Sequence, residues 1–185
     1  MRNEESSALG MRGFYRDVLY DARGMRTWDS QWRRNTIVID GRRLLGGFMR
    51  GEAGTAGIQG MSLGAGDPAW DALPEGVPPN VNPLVNTSLQ DANPYLVADS
   101  ALKLDYLDPV SGAVSIAPTN RLQIVATLGP HVPNWPDGNH PDGTLREFAL
   151  VGQLDGASVL INNVRHVAIP KDPLTTLVRT VQLVF

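Results

Sequence analysis

The sequence predicts a mainly β protein: an antiparallel β-sandwich with one N-terminal amphipathic helix and a long Pro/Gly-rich loop. Three observations predict it. Beyond residue 100, apolar and polar residues alternate in successive short segments separated by Gly, Pro and Asp. Residues 35–50 carry apolar side chains at helical spacing instead. Between them, residues 64–94 hold Pro68, Pro74, Pro78, Pro79, Pro83 and Pro94, a density that breaks both kinds of element.

Taken in order, residues 1–12 read as a polar, flexible lead. Phe14–Tyr20 and Met25–Trp28 flank Asp21-Ala22-Arg23-Gly24, a turn with glycine late in it, which predicts a β-hairpin. Residues 1–30 are therefore expected as an N-terminal arm, and residues 31–185 as the helix plus sandwich. In the expected helix Ile37, Val38, Leu44, Leu45, Phe48 and Met49 form the stripe, with Asn35 as N-cap and Gly51 as the stop. Gly46-Gly47 weakens that helix by about 1 kcal/mol per glycine and admits a close neighbour.

Ile58–Leu63 reads as a short strand, and residues 64–94 as an irregular loop of the length usually reserved for function or for a neighbour. Strands follow at Leu102–Tyr106, Leu122–Leu128, Leu145–Val151, Val159–Ile169 and Thr175–Phe185, with turns at Asp108–Gly112, Gly143, Asp155-Gly156 and Pro170–Pro173.

The 185 residues suit one domain, and 42% hydrophobic content suits a packed core. Residues 1–50 hold ten Arg against six acids, while the overall charge is −3. A basic N-terminal stretch on an acidic chain reads first as a solvated, Arg-rich helix and hairpin, next as a protein-docking face, and last as a nucleic-acid binder. No apolar run approaches the roughly 20 residues that span a bilayer, and Met1–Gly10 lacks the pattern of a secretory signal.

Catalytic chemistry finds little support. There is no cysteine, hence no disulfide, thiolate site or thiol nucleophile. His131 and His140 share a loop with Asp137 and Asp142, yet the spacing matches no metal motif, and His166 sits alone within an expected strand. Gly64-Ala65-Gly66 lacks the Lys-Ser/Thr of a phosphate loop. The expectation is a non-enzyme without metal or cofactor.

Three stretches carry a resemblance. The first is Trp32-Arg33-Arg34-Asn35-Thr36-Ile37-Val38 running into Arg43-Leu44-Leu45-Gly46-Gly47-Phe48-Met49. The second is Ile58 to Leu63, then Gly64-Ala65-Gly66-Asp67-Pro68-Ala69-Trp70. The third is Leu145 to Gly152, Ile161-Asn162, Ile169-Pro170-Lys171 and the closing Thr180 to Phe185. In order and spacing, over residues 32–185, these resemble small structural proteins of tailed phages and contractile injection particles.

The resemblance implies a sandwich that joins a tail, baseplate, collar or fibre attachment in several copies, within a virion or a phage-like particle assembled in the bacterial cytoplasm. Its expected partners are other tail or baseplate proteins and further copies of itself; no membrane insertion or nucleic acid is implied. The candidate interface residues are Phe14, Tyr15, Trp28, Trp32, Arg42, Arg43, Trp70 and Trp135. Fourteen Arg beside two Lys (Lys103 and Lys171) fit interface use and, equally, a GC-rich genome. The alternative is a glycan- or receptor-binding sandwich acting through the loop 131–142, where Trp135 either anchors a ligand or covers the end of the sandwich.

Overall fold

Strand after strand follows the period-two segments, and the helix follows the one stretch with helical spacing. The computed structural model describes residues 10–185; the first nine residues of the expected arm lie outside them. The strands are β1 (Arg12–Tyr20), β2 (Arg26–Asp29), β3 (Arg33–Ile37), β4 (Ala56–Gly64), β5 (Tyr95–Ala98), β6 (Leu102–Leu107), β7 (Val114–Ser115), β8 (Arg121–Leu128), β9 (Thr144–Leu154), β10 (Ala157–Leu160), β11 (Asn162–Pro170) and β12 (Thr176–Val184). The helix α1 spans Ile39–Arg50. Among the described residues no helix is long and apolar enough to cross a membrane.

All twelve strands belong to one antiparallel sheet in the order β5-β4-β9-β11-β3-β1-β12-β8-β6-β7, with β10 on β9 and β2 on β1. This is a curled half-barrel where two facing sheets were expected. Strand twist lets one long sheet bend over itself. Met61 and Leu63 from β4 thereby enter the same core as Ile124 and Leu128 from β8. The alternation read from the sequence is real, because β12 buries Leu177, Arg179, Val181 and Leu183 in turn. Alternation marks an inner face, and it is the same whether that face looks at a second sheet or at the far side of its own curl.

The hairpin forms, but its first strand is no separate arm. β1 lies inside the sheet, paired with β12 from Arg12↔Val184 to Tyr20↔Thr176 and with β3 on its other side. Its alternate residues Gly13, Tyr15 and Asp17 are buried, so residues 12–20 are part of the core.

The helix is shorter than its apolar stripe. Asn35 caps nothing: it lies in β3 opposite Gly13, and α1 begins after Val38 without a side-chain cap. Thr36 and Ile37, one β-branched residue after another, pair with β11 at Asn163 and Asn162. The stop is as expected, since Gly51 adopts φ 71° and its N–H reaches back to the last helical turn.

Gly41 seats α1 on the sheet. A Cβ there would collide with the Ile161 carbonyl, a backbone group that cannot swing aside, whereas a Cβ on Gly46 would meet open space. The same substitution in one helix therefore has opposite signs. Gly46→Ala is expected to stabilise by about 1 kcal/mol through propensity. Gly41→Ala is expected to destabilise by about 1–2 kcal/mol as overpacking outweighs that gain, which thermal melts would read as shifts in opposite directions.

Two further departures concern strands. Val159–Ile169 is broken at Ile161 into β10 and β11, both paired with β9. Residues Thr144–Gly152 of β9 are all buried, so this strand is covered on both faces. The Pro-rich segment supplies part of that cover and is tied down by side chains of the sheet. Arg146 donates twice to Asp71, Nε–Oδ1 at 2.9 Å and Nη2–Oδ2 at 2.6 Å. Glu147 accepts the N–H groups of Gln90 and Asp91, and Asn163 Nδ2 donates to the carbonyls of Asn86 and Ser88.

Candidate functional site

The curl leaves a trough between α1 and β4 on one side and β6 and β8 on the other. Gly57 and Ile58 of β4 lie on one side with Leu44, Leu45 and Phe48 of α1; Leu104 and Tyr106 of β6, Leu122 of β8 and the C-terminal Phe185 lie on the other. The cavity measures about 380 Å³, and no charged residue lines it. Phe48 and Phe185 on its rim are each about half exposed, at 47% and 48%. On the β6–β7 hairpin and just beyond it, Val110, Val114 and Ile116 are also exposed. An apolar trough left open on a folded surface marks a place where something else packs.

The sheet positions these residues through ordinary register. Leu104 pairs with Ile124 and Tyr106 with Leu122. Ile124 is fully buried while Leu104 and Tyr106 remain exposed, so the described chain does not itself cover this face of β6.

A second arrangement is polar and buried. Arg179 of β12 donates Nε to Asp17 Oδ1 at 2.7 Å and Nη2 to Asp17 Oδ2 at 2.8 Å, with both side chains fully buried. Arg179 Nη2 also lies 2.9 Å from His166 Nε2, and its guanidinium sits 4.0 Å over the Phe148 ring. A guanidinium only donates, so Nε2 accepts and the proton of the neutral imidazole is on Nδ1, which donates to the Val167 carbonyl at 2.8 Å. Burial, reinforced by the Arg179 charge, pushes the His166 pKa down to about 4. Both ring nitrogens are engaged, so this imidazole has no lone pair to offer a substrate.

The remaining histidines divide. His131 is exposed. His140 is buried between Asp137, 2.8 Å from Nδ1, and Asp91, 3.1 Å from Nε2, and Trp135 stacks on its ring with centroids 3.8 Å apart. Asp91 also accepts the Ala65 N–H, so the network joins the loop 131–142 to the Pro-rich segment. Glu147 beside it has its pKa raised by burial, against the pull of the two N–H groups it accepts. Among the described residues no group of three or more His, Asp or Glu side chains is placed to hold a metal ion.

The eight residues singled out from the sequence scatter. Tyr15 is core, edge-on to Phe148 at 5.3 Å. Trp70 is buried under the Arg165 guanidinium at 5.0 Å. Trp135 is buried, so it covers the core and presents no ring at the loop tip. Phe14 is half-buried, while Trp32, Arg42 and Arg43 are exposed, with Arg43 paired to Asp40. Trp28 is exposed and, with Tyr15, lines a separate cleft beside β3. None of the eight lines the trough. Its residues were visible in the sequence only as one more alternating strand and an apolar chain end, a signal identical to that of core. No family model, curated protein or solved structure matches the chain.

Proposed function

We propose that the chain is a non-catalytic structural subunit that assembles with further copies of itself, of the kind that builds a phage tail or contractile injection particle. The observation that carries this reading is the uncovered apolar trough. One chain presents both a concave apolar trough and, elsewhere, the fully exposed apolar side chains of Val110 and Ile116. A head-to-tail contact of that kind closes into a ring when its rotation permits. Charge favours the same occupant, because the outer side of α1 carries Arg42, Arg43 and Arg50 while residues 51–185 hold thirteen acids against six bases. The particle type rests on the resemblance in residue order, and membership of a baseplate, collar or fibre attachment is its finer form.

Size-exclusion chromatography with light scattering tests the reading. The native chain is expected well above its 20.0 kDa monomer mass. Phe48→Glu and Leu104→Glu, both at solvent-exposed positions, are expected to return it to monomer without loss of fold. Each removes an anchor worth roughly 2 kcal/mol, or about thirtyfold in affinity. A native chain that stays monomeric at tens of micromolar, and is absent from purified particles of its source, would sink the proposal.

A further inference from the structure

β3 is short, and where it stops the sheet splits. Only Asn162 and Asn163 of β11 pair with β3, and β2 pairs with β1 alone. From Val164 onward β11 faces Tyr15, Asp17 and Ser30 across a gap, and residues 77–81 of the Pro-rich segment close one side. The result is a cleft of about 190 Å³. A cavity of about 150 Å³ holds a benzene ring, so the cleft is the size of a single six-membered ring.

Its lining is net positive. Arg33, Arg34 and Arg165 contribute three cations, and the one carboxylate, Asp17, is already held by Arg179. His166 at the base is neutral, its proton held toward Val167. The Arg34 guanidinium makes no hydrogen bond or ion pair with the described residues, and the Arg33 guanidinium spends only Nε, on the Ser30 carbonyl. Hydrogen-bonding capacity is left over within the walls as well. Fully buried Asn163 lines the cleft with no partner for Oδ1, and Arg165 Nε has none either. Trp28, Val77 and Pro79 supply exposed apolar surface at the edge.

We infer that this cleft binds a compact ring bearing a carboxylate, the chemistry of an acidic sugar such as a uronate or sialate. The guanidinia fit a carboxylate in forked geometry. Trp28 and the proline suit the C–H face of a sugar ring. Donors and acceptors together suit hydroxyls, which a bare oxyanion would leave unmet. A bowl of this volume favours one ring over an extended acidic peptide, which would need a groove along the strand edge.

Ligand-observed NMR and calorimetry on the intact chain test it, with glucuronate and N-acetylneuraminate as probes. Glucose, inorganic phosphate and the tripeptide Ala-Glu-Ala are the comparisons. At least one acidic sugar is expected to saturate the protein below about 10 mM, with glucose at least about tenfold weaker. Arg34→Ala and Trp28→Ala are each expected to weaken binding about tenfold or more while leaving melting temperature and assembly mass unchanged. Glucose binding as well as the acids, phosphate or the tripeptide binding as tightly as the sugar, or no saturable binding by either acidic sugar would each overturn the assignment. The assembly readout is separate, so failure here leaves the reading of the trough intact, and the reverse holds too.

Discussion

Asp17→Ala is expected to lower stability by about 3–5 kcal/mol, because it leaves a buried guanidinium without its counter-charge. The site allows no escape to solvent. Arg179 is fully buried, its Nη1 already lacks a partner, and its remaining neighbours are the neutral His166 and the face of Phe148. In a chain of this length each kcal/mol moves the melting temperature by about 2–4 °C, so the drop is about 6–20 °C. The double replacement Asp17→Leu with Arg179→Met is expected to cost far less than the single one, since an apolar pair has no charge to strand. Thermal melts of the three proteins check this. If the double variant melts as low as the single, the bidentate pair is not what governs stability at this position.

Acidification is expected to remove about 3 kcal/mol of stability through His166 alone between roughly pH 6.5 and pH 4. The sign follows from burial. The folded-state pKa, about 4, lies below the ordinary value of 6.5. In that window the unfolded chain takes up a proton that the folded chain refuses, so unfolding is favoured as pH falls, and the loss is complete near pH 4. Glu147, raised by burial, binds its proton early in the folded state and offsets part of this loss in the overlapping range. Asp71, Asp108, Asp137 and Asp142, all lowered from 3.8, lose their contributions only at more acid pH. The comparison that isolates His166 is His166→Gln, whose amide offers one acceptor and one donor group without titrating. Urea melts at pH 7 and pH 4.5 are expected to differ markedly less for the variant. An unchanged difference would show that the imidazole does not carry the effect.

Strand existence after residue 100 was legible because each segment has its own alternation, and β6, β8 and β12 lie where that pattern ends and begins. What alternation lacks is any record of partner. β1 looked like a detachable hairpin since its turn is local, and nothing in Phe14–Tyr20 announces a register with Thr176–Val184. Asn35 looked like a helix cap because its type is right for one; the competing signal, β-branched Thr36 and Ile37, was absorbed into the helical stripe. β9 defeated the period-two rule because side chains as different as Arg146, Glu147 and Phe148 are all buried, the charged ones held by the Pro-rich segment. The trough was illegible for a deeper reason. Leu104, Tyr106 and Phe185 have the pattern of core residues, and only the fold reveals that the described chain leaves them uncovered. The Arg33, Arg34 and Arg165 cleft needs residues from strands distant in sequence, so no local spacing could show it.

The pairing of β1 with β12 has a consequence in time. Asp17 and Arg179 are 162 residues apart, so at synthesis rates of about 5–20 residues per second β1 waits roughly 10–30 s for its neighbour. Until then one edge of β1 is open and the inner ring of Tyr15 has no finished core to enter. Contacts of such long range make folding slow, and the crowded ribosome exit is where this chain is most exposed to sticking to its own kind in the wrong way.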